Sequence, residues 1–203
     1  DDTTFAHGDI SLSDPRFPES LKEEYLGIKE ADFATLRNDV AKQAADGEPG
    51  VLFIEPNDLG VCEVPAGGKG EKLVWIYGDC PIHVGGVDGA GYSAGTPTSG
   101  VTMIIDGNAD FRGGASITGL VYIVNSHMET QNSAAINAKF GGSITVQGAM
   151  VVDGVNHGVV LTSGSIVVNY DANVLRTLSG VKSEATGASR FGWVPGTWRD
   201  FND

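Results

Sequence analysis

Four short runs of strand-forming residues, each ending in a polar turn, constrain the fold of this chain more than any other feature. The runs are VWIYGD at 74–79, MIIDGN at 103–108, VYIVNS at 121–126 and MVVDGV at 150–155. Each run is too short to bury its apolar side chains alone. Stacking the runs about 4.8 Å apart pairs their backbones and aligns their Val, Ile and Met side chains in one column. The pattern predicts a short β-solenoid with glycine at its corners.

Four further runs lie between these, and each is again a strand with a glycine corner. They are PIHVGG at 81–86, ADFRGGASI at 109–117, GSITVQG at 142–148 and GSIVVNY at 164–170. We interpret the stretch GAGYSAGTPTSG at 89–100 as an insertion between two repeats. Because the main runs start 29, 18 and 29 residues apart, the period is irregular, and short strands at modest spacing also describe a β-sandwich. The recurring strand-and-turn unit favours the solenoid over the sandwich.

We expect one domain over residues 1–203, with three parts. These are a helical lead-in at 1–48, the β-solenoid at 49–170, and a C-terminal helix and cap at 171–203. The length allows a sizeable core in a single domain. The fold class is therefore mainly β, with helical segments at both ends.

Two helices are predicted in the lead-in. Ser20 and Glu23 have the spacing of a capping box and Gly27 is placed as a C-terminal cap, which predicts a helix over about 21–26. The second helix is predicted by an apolar stripe that ends before Asp46. The stripe consists of Phe33, Leu36, Val40 and Ala44.

The C-terminal part is predicted to cover the last strand, because an uncovered solenoid end exposes strand edges and core. Asp171 is predicted to be a helix N-cap directly after the last strand residue, Tyr170. Beyond the helix, the sequence closes on VPGTWRDF at 194–201. Disordered tails are usually low in aromatic residues, so we expect this end to pack on the solenoid edge or on a neighbouring subunit. The cap or interaction residues are Trp193, Trp198, Arg199 and Phe201.

The charge of the chain excludes two classes of partner. Acidic residues number 26 against 13 basic ones, so the net charge of −13 repels nucleic-acid phosphates and anionic lipid surfaces. Cys62 and Cys80 lie 18 positions apart without a second pair to complete a zinc site. We favour a disulfide between them over two buried thiols, and a disulfide implies an oxidising location.

The residue patterns predict no catalytic residue and no cofactor. Asp79, Asp106 and Asp153 fall near equivalent positions of the runs and are weak calcium candidates, but turns favour aspartate because its side chain bonds nearby backbone. The histidines are scattered, without ligand spacing, and the glycine-rich stretch at 66–73 lacks the ending of a phosphate loop. The four histidines are His7, His83, His127 and His157.

Five stretches together resemble the soluble part of PilX-type minor pilins, which belong to the type IV pilus assembly machinery of Gram-negative bacteria. The stretches are LKEEYLGIKEADFATL, LVWIYGDC, VTMIIDGNADFRGGASITGLVYI, VNYDANVL and VPGTWRDF. The resemblance covers most of residues 18–203, and its last two stretches are the most distinctive.

The resemblance implies a non-enzymatic structural domain whose partners are other minor and major pilins. In that family an apolar N-terminal helix anchors the precursor in the inner membrane and later packs into the pilus. This sequence does not contain that helix. Any contact of the protein with the membrane is expected to be made by that helix alone. The expected location is the periplasmic face of the inner membrane and the pilus fibre. Two alternatives are a carbohydrate-active β-helix enzyme and a bactofilin-like self-polymerising β-helix, which works in the cytoplasm with reduced cysteines.

Overall fold

The computed structural model describes residues 21–65, 70–84, 91–126, 136–153, 159–162 and 165–178. Over these residues the chain is mainly β, with helices at both ends. The helical elements are α1 (Leu21–Leu26), a 3₁₀ turn (Glu30–Asp32), α2 (Phe33–Ala45) and α3 (Ala172–Leu175).

The strands of the described residues are short, apart from two that have ten residues or more. They are β1 (Val51–Ile54), β2 (Cys62–Val64), β3 (Leu73–Tyr77), β4 (Cys80–Val84), β5 (Tyr92–Ala94), β6 (Val101–Asp106), β7 (Ala109–Arg112), β8 (Ala115–Val124), β9 (Ile136–Phe140), β10 (Ser143–Asp153), β11 (Val159–Thr162) and β12 (Ser165–Tyr170).

These strands form two sheets in which every paired strand runs parallel to its neighbour. The first sheet has the order β1-β3-β6-β8-β10-β12, with β5 also paired to β8, and the second has the order β2-β4-β7-β9-β11. Immunoglobulin-like sandwiches are built from antiparallel sheets. The parallel pairing therefore argues against the sandwich alternative.

The register of the first sheet confirms the alignment of the four main sequence runs. Val74 lies opposite Met103, Met103 opposite Val121, and Val121 opposite Met150. These are the first residues of the four runs, so the alignment read from the sequence is the pairing in the sheet. The segments between these strands differ in length, so the irregular spacing of the runs in the sequence does not change the register of the sheet.

The interpretation of residues 89–100 as an insertion is wrong for part of that stretch. Residues 92–94 form β5, which pairs with β8, and the Tyr92 and Ala94 side chains are 2% and 1% exposed. The stretch therefore contributes a strand to the first sheet and two residues to the core. The sequence does not predict this strand, because the stretch is rich in glycine and polar residues and only two strand positions are apolar.

Two apolar clusters occupy the two sides of the first sheet. The cluster between the sheets contains side chains of both, among them Val74 and Met103 from the first and Ile82 and Phe111 from the second. The alternate residues of the first sheet point the other way and pack with α1 and α2. Because successive side chains of a strand point to opposite faces, the strands of the first sheet contribute side chains to both clusters.

The predicted lead-in helices are confirmed. After α1, Gly27 adopts a φ of 67°, and its N–H donates to the Glu23 carbonyl at 3.0 Å, as a C-terminal glycine cap requires. The proposed N-terminal partner, Ser20, lies outside the described residues. On α2, three of the four stripe residues are buried, and the fourth, Ala44, is half-buried. The Phe33 ring packs on Trp75, with the ring centroids 5.1 Å apart.

The C-terminal helix forms where it is predicted, but it does not cover the last strand. The Asp171 carboxylate accepts hydrogen bonds from the backbone N–H groups of Asn173 and Val174, which confirms the N-cap. A hydrogen bond from the Gln147 side chain, followed by those from the Val174 and Asn173 backbone, holds the pKa of Asp171 below its ordinary value. Leu178, after the helix, packs into the cluster of α1 and α2.

The position of α3 follows from its apolar face. Leu175 and Leu178 extend the cluster that already lies on the first sheet, and the Gly100 N–H donates to the Thr177 hydroxyl at 2.9 Å. The helix therefore lies along the side of the stacked strands, against β8 and β10. The aromatic part of the predicted cap, at residues 193–201, lies outside the described residues.

Candidate functional site

Two of the three candidate aspartates connect neighbouring strands. An Asp79 carboxylate oxygen accepts a hydrogen bond from the Asn108 backbone N–H at 2.8 Å and one from the Asn125 side chain at 3.4 Å. Asp106 accepts from the Ser126 N–H at 2.8 Å and from its hydroxyl at 2.9 Å. Their partners lie 20 or more residues along the chain. The described bonds of these two carboxylates therefore run to residues beyond the local turn, because the next strand presents its donors beside it.

Asp153 has a different role, although Asp106 and Asp153 both lie opposite Val124 in the sheet register. The Asp153 side chain is buried, and one carboxylate oxygen accepts a 2.5 Å hydrogen bond from the Tyr122 hydroxyl. The same oxygen lies 3.8 Å from the Lys22 ammonium nitrogen. Asp153 is therefore part of an ion pair between the first sheet and α1.

Calcium is not expected to change the stability of the domain. Within the described residues, no three His, Cys, Asp or Glu side chains are grouped so that they can hold a metal ion. Asp79 and Asp106 accept hydrogen bonds from protein donors, and so does one carboxylate oxygen of Asp153. A chelator should leave the melting temperature unchanged, and added calcium should not raise it. A calcium-dependent rise of several degrees in a thermal melt would contradict this prediction, because a ligand that binds the native state stabilises it.

Lys22 is the polar residue of this region that the sequence reasoning missed. Its side chain is 1% exposed, and its ammonium group donates to a Glu30 carboxylate oxygen at 2.5 Å. The ammonium nitrogen also lies 5.1 Å from the centre of the Phe33 ring, a cation–π distance. A signal was present in the sequence, because Lys22 lies four positions before the apolar Leu26 and so shares its helix face. The ion pair between Lys22 and Asp153 therefore connects α1 to β10.

The predicted disulfide is confirmed: Cys62 and Cys80 are bonded, with their Cα atoms 5.6 Å apart. Both cysteines are buried between the sheets. Cys62 lies opposite Ile82 in the register, so the bond crosses diagonally between the adjacent strands β2 and β4. It therefore links two neighbouring strands at one end of the second sheet.

Removing the disulfide should cost about 3 kcal/mol of unfolding free energy, the value for a closed loop of this length. The double variant Cys62→Ala/Cys80→Ala removes the bond without leaving a free thiol. Denaturant unfolding of the variant and of the oxidised parent measures the difference. Reducing the parent protein provides an independent comparison, and equal unfolding midpoints in all three samples would refute the prediction.

Among the strand side chains whose burial the structure describes, the large exposed apolar ones lie on β12, at one edge of the first sheet. In the register, Val146 of β10 lies opposite Val168 of β12, yet the first is 0% exposed and the second 45%. Val167 and Tyr170 on the same strand are 48% and 55% exposed. We call Val167, Val168 and Tyr170 the β12 end surface. Among the described strands, the apolar column that contains Val146 therefore ends on an exposed side chain, Val168.

The remaining candidates divide between described and undescribed residues. His83 lies in β4 and is half-buried. Tyr92, which the sequence does not single out, is buried in the core, and this burial, followed by the charge of Glu71, raises the pKa of its hydroxyl well above the ordinary value. The positions that lie outside the described residues are His7, His127, His157, Trp193, Trp198, Arg199 and Phe201.

The arrangement combines structural hydrogen bonds, a buried ion pair, a disulfide and an exposed apolar strand. No helix among the described residues is long and apolar enough to cross a membrane. Comparisons of the chain with protein-family models, with curated proteins and with solved structures find no match.

Proposed function

We propose that this chain is the soluble domain of a PilX-type minor pilin, a non-enzymatic subunit that helps to initiate or decorate type IV pili. Its partners are other minor and major pilins, and it acts at the periplasmic face of the inner membrane and in the pilus fibre. The proposal begins from the sequence resemblance. The structure adds three supporting observations, which concern the strand order, the lead-in helix and the disulfide.

The strand order supports a solenoid as the underlying architecture. The pairings divide the strands into three parallel stacks, which the chain visits in rotation. One stack contains β1, β3, β6 and the second halves of β8 and β10, and another is the second sheet. The third contains β5, the first halves of β8 and β10, and β12. We infer a chain that winds with three strands per turn, in which stacked neighbours bury each other's apolar faces.

The buried Lys22 is the single observation that carries the functional proposal. An anchored subunit must transmit force and orientation from its N-terminal helix to the rest of the domain. Lys22 joins α1 to Asp153 at the far end of β10 and to Glu30 before α2. The contact with Asp153 holds α1 to the sheet, and the contact with Glu30 holds α1 to the turn before α2. This is the connection that a subunit with a preceding membrane helix needs.

The disulfide supports export. Disulfides persist in oxidising compartments such as the periplasm and are rare in the cytosol. Cys62 and Cys80 are bonded and buried. This observation favours the pilin over a bactofilin-like protein, which works in the reducing cytoplasm.

Two measurements in the source bacterium test the proposal. The gene should encode a basic leader and about 20 apolar residues, the length of a membrane-spanning helix, before Asp1. Deleting the gene should lower the number of surface pili, and expression of the full-length protein from a plasmid should restore it. A complementing gene that lacks the apolar segment is the matched control and should fail. Unchanged piliation in the deletion strain, or a protein found only in the cytoplasm, would refute the proposal.

The β12 end surface favours one alternative, a self-polymerising β-helix. Copies that stack end to end would cover the exposed valines of one copy with the first strands of the next. Analytical ultracentrifugation of the oxidised protein separates the two functions, because polymerisation gives a sedimentation coefficient that rises with concentration. The pilin proposal expects one constant value for the isolated domain.

A further inference from the structure

A lysine, two carboxylates and a tyrosine hydroxyl meet where α1 packs on the first sheet. The Lys22 ammonium nitrogen lies 3.8 Å from Asp153 Oδ2, and both side chains are 1% exposed. The same nitrogen donates to a Glu30 carboxylate oxygen at 2.5 Å. Asp153 Oδ2 accepts from the Tyr122 hydroxyl, whereas Asp153 Oδ1 is buried without a hydrogen-bond partner among the described residues. A buried ion pair is favourable only when its remaining lone pairs are satisfied, so this pair is a costly arrangement.

We propose that Lys22 and Asp153 condense to form an isopeptide bond, and that Glu30 moves the proton. The reaction joins the lysine nitrogen to Asp153 Cγ and releases one water. It consumes no other reactant, because one ammonium and one carboxylate give one amide and one water. The ion pair in the structure is the arrangement that precedes this step. The inference concerns a modification within one chain and goes beyond the proposed role in the pilus.

Each proton of the reaction has a defined destination. Glu30 takes one proton from the ammonium group through the hydrogen bond between them, which leaves a neutral amine. The amine attacks Asp153 Cγ, and the hydrogen bond from the Tyr122 hydroxyl stabilises the charge that develops on Oδ2. The bond between Cγ and Oδ1 then breaks. Oδ1 leaves as water with one proton from the nitrogen and one returned by Glu30, which ends as a carboxylate again.

Burial and position favour the condensation at this place. Water stabilises a separate ammonium and carboxylate, but a buried pair has lost that solvation, and the amide product carries no charge. Groups held in a reactive geometry also gain an effective concentration of about 10⁵ to 10⁸ M over free groups. The Lys22 nitrogen already lies 3.8 Å from an oxygen that is bonded to Cγ. A small side-chain movement therefore brings the nitrogen to within the reactive distance of about 3 to 3.5 Å.

Exposure separates the roles of the two carboxylates beside Lys22. The Glu30 side chain is 53% exposed, so water solvates its carboxylate and opposes its conversion to an amide. Asp153 is buried and its Oδ2 is polarised by a short hydrogen bond, so it is the carboxylate that reacts. Glu30 lies between the buried amine and the solvent. It therefore suits the part of a base that passes the proton on.

Mass spectrometry of the full chain, with its disulfide formed, tests the proposal. The folded protein should be one water lighter than its sequence and disulfide require, and a protease digest should contain a peptide pair that joins Lys22 to Asp153. The Lys22→Arg variant keeps the positive charge but has no primary amine, so it should have the full mass. The Lys29→Arg variant is the matched control, because Lys29 is exposed, and it should lose the water as the parent does.

The Glu30→Gln variant tests the proton transfer separately. Glutamine keeps the shape of the side chain but cannot take the proton, so in samples taken at intervals after synthesis the cross-link should form about a hundredfold more slowly. Circular dichroism shows that the compared variants are folded. A folded parent that keeps its full mass would overturn the proposal, and so would a bond to Glu30 in place of Asp153 or an equal rate in Glu30→Gln. None of these outcomes depends on whether the protein acts in a pilus.

Discussion

Replacing Gly119 with alanine should unfold the domain or cost more than about 4 kcal/mol, which is exceptional for a single substitution. Gly119 lies in the middle of β8 with a φ of 153°, and an added Cβ would lie 1.9 Å from the Val101 carbonyl oxygen. That oxygen belongs to the backbone of the adjacent strand β6, where Val101 lies opposite Gly119. A side chain can rotate away from a clash, but a paired backbone moves only if the sheet opens.

Gly60→Ala is the control for this prediction. Gly60 also has a positive φ, of 70°, but apart from its own chain neighbours nothing lies within 4 Å of an added Cβ. The substitution should therefore cost only the strain of a left-handed backbone, about 1 to 2 kcal/mol. Denaturant unfolding of both variants separates backbone strain from the close approach of the strands. A similar loss of unfolding free energy in the two variants would contradict the close approach of Gly119 to the Val101 backbone.

Replacing Lys22 with methionine should cost about 3 to 5 kcal/mol, the range for removing one partner of a buried ion pair. Methionine preserves much of the apolar stem of lysine but removes the ammonium group. The Asp153 carboxylate, which is 1% exposed, then retains only the donor from the Tyr122 hydroxyl among its described contacts. The loss should appear in chemical unfolding as a lower midpoint with an unchanged slope.

Lys29→Met is the matched control, because Lys29 is exposed and lies three residues beyond α1. Surface substitutions of this kind usually change stability by less than about 0.5 kcal/mol. If both lysine variants unfold at the same denaturant concentration, Lys22 does not fasten α1 to the sheet. That result would also remove the observation on which the pilin proposal most depends.

The features that the sequence predicts correctly are those that depend on local pattern. The starts of the four main runs, such as Val74 and Met103, lie opposite one another because similar short units pair in register. The bounds of α1 and the burial of the α2 stripe follow from caps and a helical period. The pairing of Cys62 with Cys80 follows from their being the two cysteines in the chain.

The features that the sequence does not predict depend on which strand becomes the neighbour. Asp79 and Asp106 look like ordinary turn residues, and only the parallel stacking brings Asn108 and Ser126 to their carboxylates. Lys22 looks like one of many solvated helix lysines until Asp153 is brought close to it. The sequence does not predict β5 for the same reason. Its residues have a weak preference for strand structure, and its pairing with β8 compensates for that weakness.

The diagonal bond between β2 and β4 determines where the domain comes apart under load. A strand at the edge of a stack has a neighbour on one side only, so edge strands detach before interior ones when the molecule is pulled or heated. The Cys62–Cys80 bond prevents β2 from separating from β4, whereas β12 at the opposite end is held by hydrogen bonds to β10 alone among the described strands. We therefore expect unravelling to start at the C-terminal strands and the layer that contains β2 and β4 to stay together longest.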